Sequence, residues 1–345
     1  MFFLILFLIP FNCYAISDSA RSSIVMDIES GRVLYQNNAN EKRLIASITK
    51  VMTATVALEN TKDLNKKVKA GEEVLKMYGT SIYMEKGEVL TMKDLLYGLM
   101  LRSGNDAAVV IANGVSKNEK DFVKLMNQKA QKLQMTNTTF KNCHGLDEET
   151  KNYSTAYDMA LLSRYIYNKD STYRRIINTY KYTTQSNNKS YLWYNRNTLL
   201  KQYKYCIGGK TGYTPSAGKT LISVAKKNNL ILTAVSIKDA DHYENHEQLY
   251  ESIFNKYKRY QLLDKKHFSV DEEYYKDDLY IKDDFYYPLT SSELKKVKTI
   301  VKITKLKNYK DNDVVGEVNI KLEDQLLKKV PIYVHKKEKK KRFFF

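Results

Sequence analysis

In the larger, N-terminal part of the chain, the spacing of apolar and polar positions predicts helices mixed with strands. Residues 51–58 are almost continuously apolar, so a helix that begins at Ser47 is expected to be buried in a core. Residues 92–101 carry apolar side chains at the spacing of one inward helical face. This second helix is expected to break at residues 102–105 and a third to start at Asp106, which leaves a short polar connection between two helices.

Other segments of this part extend the mixture. The same periodicity predicts further helices at residues 117–133, 155–167 and 247–260. Two hairpins are also predicted, because turns rich in glycine or asparagine separate runs of strand-forming residues. The hairpins pair residues 23–27 with 32–36 and residues 219–225 with 230–237.

The pattern changes after Leu263, where charged residues and tyrosines alternate with β-branched residues. This period-two alternation, as in residues 297–306 and 318–322, predicts half-buried strands of a small all-β domain. The small domain has no obvious reactive set and is interpreted as a spacer or an interaction module. The chain therefore divides into a signal peptide (1–15), a larger domain (16–262), a small β-rich domain (263–335) and a basic, aromatic tail (336–345).

The N-terminus carries an apolar run, residues 2–11, that is too short for a comfortable membrane span. It is followed by Cys13-Tyr14-Ala15, and a small last residue is typical of a signal-peptide cleavage site. The missing positive charge before the run and the bulky Tyr14 are irregular for such a signal. Cleavage after Ala15 and export are expected, with an uncleaved membrane anchor as the alternative.

Charge adds a second expectation about location. The net charge is +18, and part of it lies in residues 336–342, directly before three phenylalanines. Such a run suits an anionic membrane surface, and a solvated, disordered end is the competing interpretation. No nucleic-acid partner is expected, since the sequence has no nucleic-acid-binding motif. The mature chain would keep Cys143 and Cys206, which are expected to be buried thiols rather than a disulfide pair.

Ser47 and Lys50 are the first candidates for chemistry. Their separation is nearly one helical turn, so both side chains share a face. A hydroxyl held beside an amine is an activated nucleophile, because the amine takes the proton as the oxygen attacks. Ser-x-x-Lys recurs elsewhere in this serine- and lysine-rich chain, so the assignment needs further residues.

Two later motifs supply further candidate residues for the same site. Ser103 and Asn105 occupy the polar connection between predicted helices, where a turn residue and a helix cap are the structural alternatives. Lys210-Thr211-Gly212 precedes the second hairpin and is expected on an edge strand. Lysine supplies positive charge, threonine a hydrogen-bond donor and glycine close backbone approach. An extended peptide along this edge would place its terminal carboxylate near the lysine and the threonine.

The order Ser-x-x-Lys, Ser-x-Asn, Lys-Thr-Gly is the signature set of penicillin-binding proteins and serine β-lactamases. Residues 80–108, the stretch 135–147 that ends in His144-Gly145-Leu146-Asp147, and residues 153–156 resemble the low-molecular-mass D-alanyl-D-alanine carboxypeptidases. The resemblance runs from about residue 20 to about residue 260. It implies the α+β penicillin-binding-protein fold, an antiparallel sheet flanked by helices, with a small all-β C-terminal domain. It also implies an exported hydrolase, located at the cell wall or the outer face of the cytoplasmic membrane, that uses no cofactor or metal.

The same resemblance implies residue roles. Ser47 would attack the bond between two D-alanines of a peptidoglycan stem peptide and become an acyl-enzyme. Lys50 would be the general base, its pKa depressed by burial and by the charge of Lys210, and Ser103 would relay a proton to the leaving amine. β-Lactam antibiotics would acylate Ser47 as substrate mimics. Substrate binding is assigned to Asn105, Lys210, Thr211, Gly212 and Tyr213, with the backbone N–H groups of Ser47 and Tyr213 as the oxyanion hole.

Two features depart from the family pattern. Cys143 stands where relatives commonly have proline, and residues 237–246 lack the arginine that many relatives place near the substrate carboxylate. Carboxylate binding is therefore expected to depend more on Lys210. The alternatives are a β-lactamase, for which Glu148 and Asn152 have the Glu-x-x-x-Asn spacing, and a non-catalytic wall- or membrane-binding protein on the same scaffold.

Overall fold

The computed structural model describes residues 18–336. The predicted signal peptide (1–15) and the tail from residue 337 onward lie outside the described residues. The chain divides into two compact units. The first comprises the described residues up to Met26, Val33–Ala225 and Thr233–Ser252, and the second comprises Asp27–Arg32, Lys226–Leu232 and the described residues from Ile253 onward.

Helices alternate with strands along the described part of the chain. The helices are α1 (Lys50–Asn60), α2 (Met92–Tyr97), α3 (Asn105–Val115), α4 (Glu119–Lys132), α5 (Ala156–Lys169), α6 (Ser171–Asn178), α7 (Leu199–Gln202), α8 (His242–Lys256) and α9 (Ser291–Leu294). Short 3₁₀ turns occupy Ala46–Thr49 and Glu72–Lys76, and a π-helical turn occupies Gly98–Arg102.

The strands form one five-stranded sheet, one four-stranded sheet and several two-stranded ladders. They are β1 (Ala20–Asp27), β2 (Val33–Asn37), β3 (Arg43–Leu44), β4 (Lys67–Lys69), β5 (Val89–Thr91), β6 (Tyr153–Ser154), β7 (Lys181–Gln185), β8 (Ser190–Tyr194), β9 (Cys206–Thr214), β10 (Gly218–Lys227), β11 (Leu230–Asp239), β12 (Lys258–Leu263), β13 (Asp278–Tyr280), β14 (Phe285–Leu289), β15 (Val297–Ile303), β16 (Val314–Leu322) and β17 (Gln325–His335).

The five-stranded sheet has the order β2-β1-β11-β10-β9. The strand with the Lys-Thr-Gly motif, β9, therefore lies at an edge, as the sequence predicts. β9 is antiparallel to β10, with Thr211 opposite Leu221 and Gly212 opposite Thr220. Between β10 and β11, Asn228 and Asn229 have φ values of 50° and 63°. These left-handed values are typical of the type I′ turn, whose twist suits a tight hairpin.

Helices α1 and α3 bring two of the motifs into the interior of the first unit. In α1 every residue from Lys50 to Ala57 is buried, and in α3 the first eight residues are buried. Helix α2 begins with a capping box in which the Thr91 and Asp94 side chains bond to each other's backbone N–H groups. The π-helical turn that follows ends at Ser103, whose backbone is left-handed (φ 63°, ψ 32°).

Several helix boundaries differ from the sequence-based expectation. The helix predicted at 247–260 starts at His242 and ends at Lys256, so Tyr260 belongs to β12. The helix predicted at 92–101 is α2 plus the π-helical turn, and α3 starts at Asn105. Apolar periodicity identifies the buried face of a segment, but it does not distinguish an α-turn from a π-turn or fix terminal residues.

The second unit contains two sheets, β12-β14 and β13-β17-β16-β15. The prediction of a small all-β C-terminal domain is confirmed, with the one-turn helix α9 as an addition. Side chains of β16 and β17, such as Val318, Ile320 and Ile332, pack into one apolar core. Strand β15 is not half-buried as expected, because it is an edge strand whose residues 298–302 are exposed.

Two further features concern cysteines and membrane spans. Cys143 and Cys206 are both buried free thiols, as the sequence favours. Within residues 18–336, no helix has both the length and the apolar character needed to cross a bilayer.

Candidate active site

Ser47 lies in the 3₁₀ turn that leads into α1, and Lys50 is the first residue of α1. Lys50 Nζ donates a hydrogen bond to Ser47 Oγ over 3.0 Å. The expected contact therefore forms, but across a junction of two helix types rather than within one α-helix. Ala46, directly before the serine, has a left-handed φ of 47°, which turns the chain sharply into this junction.

The Lys50 ammonium group is held by two further acceptors. It donates to Asn105 Oδ1 at 2.7 Å and to the His144 carbonyl oxygen at 2.5 Å. Asn105 in turn donates from Nδ2 to the Tyr78 carbonyl at 2.7 Å. Both ends of the Asn105 amide are thus engaged, and the N-cap of α3 is Gly104. The helix-cap alternative for Asn105 is therefore wrong.

A second buried lysine meets the Ser-x-Asn motif. Lys210 Nζ donates to Ser103 Oγ at 3.0 Å and to the carbonyl oxygen of the adjacent Thr211 at 2.6 Å. The Ser103 carbonyl accepts a hydrogen bond from Thr80 Oγ1 at 3.0 Å. Ser103 is thus both a turn residue and a member of the cluster, so the two interpretations made from the sequence are compatible.

Two glycines allow backbone segments to approach Ser47 closely. A Cβ atom at Gly212 would lie 2.9 Å from the Ser47 backbone nitrogen and 2.4 Å from Thr220 Oγ1. A Cβ atom at Gly145, where φ is +91°, would lie 2.1 Å from the Ala46 carbonyl oxygen. All three distances are shorter than non-bonded contact allows, so only glycine fits either position.

Burial dominates the electrostatics of both lysines. It lowers the pKa of Lys50 to about 7, with a smaller lowering from Arg196 and opposing contributions from Cys143 and Asp106. Burial, then the charges of Lys50 and Arg196, hold the pKa of Lys210 well below its usual range. Burial is the main cause of the lowered pKa of Lys50, as expected, and Arg196 also contributes. The mutual repulsion of Lys50 and Lys210 appears in the lowered pKa of Lys210. A lysine with a pKa near 7 is partly neutral at physiological pH and suits a general base.

A cleft with a volume of about 390 Å³ opens at this cluster. From the predicted set, Ser47, Ser103, Thr211, Gly212 and Tyr213 line the cleft, while Lys50, Asn105 and Lys210 lie buried beneath it. The sequence analysis did not assign five other lining residues, which come from four separate segments of the chain. They are Thr80, Arg196, Lys219, His242 and Tyr243.

The loop between α4 and β6 was also missed as a support of the cluster. Asn142 Oδ1 accepts from the backbone nitrogens of His144 (3.2 Å) and Gly145 (2.7 Å). Asp147 Oδ2 accepts from Thr214 Oγ1 at 2.6 Å, at the end of β9. The loop thus positions the His144 carbonyl under Lys50 and connects to the edge strand. The His-Gly-Leu-Asp segment was noted in the sequence, but a backbone acceptor leaves no side-chain signal.

The geometry agrees with a sequence comparison. Residues 12–241 match the D-alanyl-D-alanine carboxypeptidase family. This protein belongs to that family. Residues 257–340 match the C-terminal domain of penicillin-binding protein 5. The family resemblance stated from the motifs is therefore confirmed.

Two members of the carboxypeptidase family illustrate the similarity. The chain is 36% identical over 255 residues to D-alanyl-D-alanine carboxypeptidase DacF of Bacillus subtilis (strain 168), covering 72% of this chain and 65% of the relative. It is 36% identical over 230 residues to DacC of Escherichia coli (strain K12), covering 64% of this chain and 56% of the relative. The matched region thus spans less than two thirds of either relative's length.

Solved structures of the family share the fold along almost the whole chain. Penicillin-binding protein 5 of Haemophilus influenzae superposes with a TM-score of 0.75 at 26% identity, covering 92% of this chain and 97% of that one. Penicillin-binding protein 6B of Escherichia coli gives 0.74 at 26% identity, covering 93% and 97%. The predicted penicillin-binding-protein fold is therefore confirmed.

The β-lactamase-type Glu-x-x-x-Asn match does not fall at the cleft of this carboxypeptidase-family protein. Glu148 is exposed and does not line the cleft. Asn152 is buried, and its side-chain amide donates to Thr49 Oγ1 and to Asn142. Asn152 therefore supports the loop between α4 and β6, and this spacing gives no water-activating glutamate beside Ser47.

Proposed function

We propose that this protein is a serine D-alanyl-D-alanine carboxypeptidase that removes the terminal D-alanine from peptidoglycan stem peptides. One observation carries the proposal: two buried lysines with lowered pKa values each contact a serine hydroxyl at one cleft, Lys50 with Ser47 and Lys210 with Ser103. A nucleophile beside a neutral amine, with a second hydroxyl near it, suits acyl transfer.

Acylation begins at Ser47. Its oxygen attacks the carbonyl carbon between the last two D-alanines, and its proton passes to neutral Lys50. The negative charge on the carbonyl oxygen is stabilised by the backbone N–H groups of Ser47 and Tyr213. Removing one donor of such an oxyanion hole typically costs on the order of 10²- to 10³-fold in rate. The position of Gly212 against the Ser47 nitrogen supports this arrangement, because it brings β9 into contact with the nucleophile turn.

Collapse of the tetrahedral intermediate breaks the peptide bond. The leaving nitrogen takes, through Ser103, the proton that Lys50 accepted from Ser47. Lys50 is then neutral again, and the terminal D-alanine departs as the free amino acid. Water then attacks the ester carbonyl with Lys50 as base, which releases the shortened peptide and returns the proton to Ser47. The net reaction consumes one water and one peptide bond, and the side chains supply all the acid–base chemistry of this scheme.

Substrate capture is assigned to the other motif residues. Lys210 and Thr211 bind the terminal carboxylate, and Asn105 both holds Lys50 and meets the substrate amide. The surrounding positive charge supports this assignment, since Arg196 and Lys219 also line the cleft. β-Lactam antibiotics, which present a carboxylate and a strained amide, are proposed as covalent inhibitors that acylate Ser47.

Incubation with a labelled penicillin, followed by peptide mapping, tests the proposal. The penicillin adduct is expected on Ser47. In a separate assay, the protein is expected to release D-alanine from a peptide ending in D-Ala-D-Ala. Ser47→Ala is expected to lose both. Rapid turnover of the penicillin would instead favour a β-lactamase, and absence of any adduct would favour a non-catalytic wall- or membrane-binding protein. Full activity of Ser47→Ala would refute the mechanism.

Location and domain limits complete the proposal. We propose export after removal of residues 1–15, a catalytic domain at 16–262, a β-rich domain at 263–335, and contact of the tail 336–345 with an anionic membrane surface. The basic and aromatic composition of the tail supports the last point. N-terminal sequencing of the exported protein tests the cleavage, and unchanged membrane fractionation after deletion of residues 336–345 would refute the membrane contact.

A further inference from the structure

Strand β15 of the second unit has a strand neighbour on one side only, within the part of the chain that the structure describes. It ends the sheet β13-β17-β16-β15, and every residue from Lys298 to Lys302 is exposed. Edge strands pair readily with other extended segments, and proteins often limit this with short length, bulges or proline. β15 has seven residues with no proline or glycine, and it pairs with β16 without a register shift. It is therefore a regular edge with the form of a strand that accepts another.

The hydrogen-bond pattern between β15 and β16 shows which backbone groups face outward. Just after β15, the Thr304 N–H donates to the Val315 carbonyl at 2.8 Å. Just before β15, the Lys296 carbonyl accepts from a backbone N–H beyond β16 at 3.3 Å, in the same phase. Hydrogen-bonded pairs alternate along an antiparallel ladder, so the backbone N–H and C=O groups of Thr299 and Val301 point away from β16. These groups have no hydrogen-bond partner among the described residues.

The side chains of β15 divide between the two faces of the sheet. Val301 lies opposite Val318, and Thr299 lies opposite Ile320. Val318 and Ile320 belong to the apolar core of this unit, so Thr299 and Val301 are on the core face. Val301 is nevertheless 40% exposed, since no described strand lies beyond β15 to cover it. A segment added to this edge extends the core if it places apolar side chains opposite these two residues.

The outer face of the same edge is positively charged. It carries Lys298 and Lys302, and Lys321 of β16 lies opposite Lys298. Glu317 lies opposite Lys302 and also pairs with Lys329 at 3.4 Å. Lysines therefore outnumber the carboxylate on this face. Opposite charges on neighbouring strands are stabilising and like charges are destabilising, so an incoming strand with acidic side chains is favoured here.

We propose that β15 is a docking site for an extended, acidic segment of a partner protein, which adds to the four-stranded sheet as a further strand. The core-facing side chains of that segment are apolar, and those beside Lys298 and Lys302 are acidic. A second copy of β15 does not fit, because antiparallel pairing centred on Ile300 sets Lys298 against Lys302. The basic tail (336–345) has the wrong charge as well. The inference does not depend on the proposed function, since no residue of β15 lines the cleft.

Binding of a synthetic peptide to the full chain tests the inference. The probe is blocked at both ends, carries a fluorophore and has the central sequence Glu-Val-Thr-Val-Glu, which matches β15 in either strand direction. A second probe, Lys-Val-Thr-Val-Lys, has the same strand propensity and the opposite charge. Fluorescence anisotropy is expected to show saturable binding of the acidic probe, about tenfold or more tighter than that of the basic probe.

Two kinds of variant separate strand addition from simple attraction between charges. Val301→Pro keeps the charge and the bonds to β16, because the lost N–H points outward, and it is expected to weaken binding of the acidic probe about tenfold. Val301→Thr keeps the N–H and is the matched control, with affinity close to that of the wild type. The double variant Lys298→Glu, Lys302→Glu is expected to prefer the basic probe. Circular dichroism compares the folding of all variants.

Equal affinity of the acidic probe for the wild type and Val301→Pro means that charge alone attracts the peptide, and it overturns the inference. Failure of the acidic probe to bind, or an unchanged preference after exchange of both lysines, does the same. A wild-type dimer in sedimentation experiments that Val301→Pro dissociates also overturns it, because β15 then pairs with a second copy. If Val301→Pro does not fold, Thr299→Pro takes its place, since that N–H also points outward.

Discussion

Lys50 Nζ lies 3.0 Å from Ser47 Oγ, and the same ammonium group also contacts Asn105 and the His144 carbonyl. Its three hydrogen bonds fix its position, while burial lowers the pKa of Lys50 to about 7. The lysine is therefore placed to accept the serine proton when neutral, and its own protonation state is expected to control the rate.

The acylation rate of Ser47 is expected to rise with pH, with a midpoint near 7 and a plateau above it, because only neutral Lys50 accepts the proton. Lys50→Gln should slow acylation about 10²- to 10⁴-fold. Time courses of fluorescent penicillin labelling between about pH 5.5 and 9 measure both effects. Lys67→Gln, at an exposed lysine of β4, is the control and should leave the profile unchanged. A flat wild-type profile would contradict the assignment of Lys50 as base.

Ser103→Ala is expected to slow D-alanine release about 10²-fold or more, because the leaving amine loses its proton relay. Acylation by penicillin should suffer less, since relief of ring strain helps expel the β-lactam nitrogen. Comparing peptide hydrolysis with penicillin acylation on one preparation measures the difference. Ser190→Ala, at an exposed serine of β8, controls for loss of a hydroxyl. Equal losses for both substrates would indicate that Ser103 only supports Lys210.

The sequence predicted much of the arrangement because motifs record side chains that act together. Ser47, Ser103 and Lys210 were assigned from the spacing and order of the three motifs. The edge position of the Lys-Thr-Gly strand, β9, was also predicted. Arg196 and His242 were not assigned, because single residues on remote segments carry no pattern until the chain is folded. In particular, the absence of arginine from residues 237–246 did not reveal that Arg196 reaches the same cleft.

Gly145→Ala is expected to disturb the nucleophile turn. The left-handed backbone costs about 1–2 kcal/mol with a side chain, and displacing the Ala46 carbonyl adds about 1–3 kcal/mol. Gly87→Ala is a matched control: its φ is +88°, but its Cβ would meet only Lys69 Cε, at 3.9 Å. Urea denaturation should show a larger stability loss for Gly145→Ala than for Gly87→Ala. Penicillin acylation should be slowed by Gly145→Ala and not by Gly87→Ala. Equal effects of the two substitutions would contradict the steric argument.

In the second unit, replacing isoleucine by alanine at a buried and at an exposed strand position separates the contribution of burial to stability from that of β-propensity. Ile332 in β17 is fully buried, so Ile332→Ala should lower the free energy of unfolding by about 2–5 kcal/mol. Ile300 in the edge strand β15 is 39% exposed, and Ile300→Ala should cost less than about 1 kcal/mol. Urea denaturation followed by circular dichroism measures both values. Similar losses would show that the core around β16 and β17 is not packed as described.

Two buried histidines are expected to make the fold sensitive to acid. Burial lowers the pKa of both His144 and His246 to about 3, below the value near 6.5 of an unfolded chain. Between those values the unfolded state binds more protons, so stability is lost as pH falls from about 6.5 toward 3, by up to about 1.4 kcal/mol per pH unit for each histidine. His246 accepts or donates hydrogen bonds with Ser223 and Ser236, and His246→Gln should keep part of this network while reducing the slope.

Urea denaturation of the wild type and His246→Gln at several pH values measures that slope. His267→Gln is the control, because His267 is exposed and Asp264 raises its pKa, so its contribution has the opposite sign and is lost as pH rises. An unchanged slope in His246→Gln would mean that other groups cause the acid sensitivity. A reduced slope would show that His246, held uncharged between two serine hydroxyls, contributes to the acid sensitivity of the fold that carries the Lys-Thr-Gly strand.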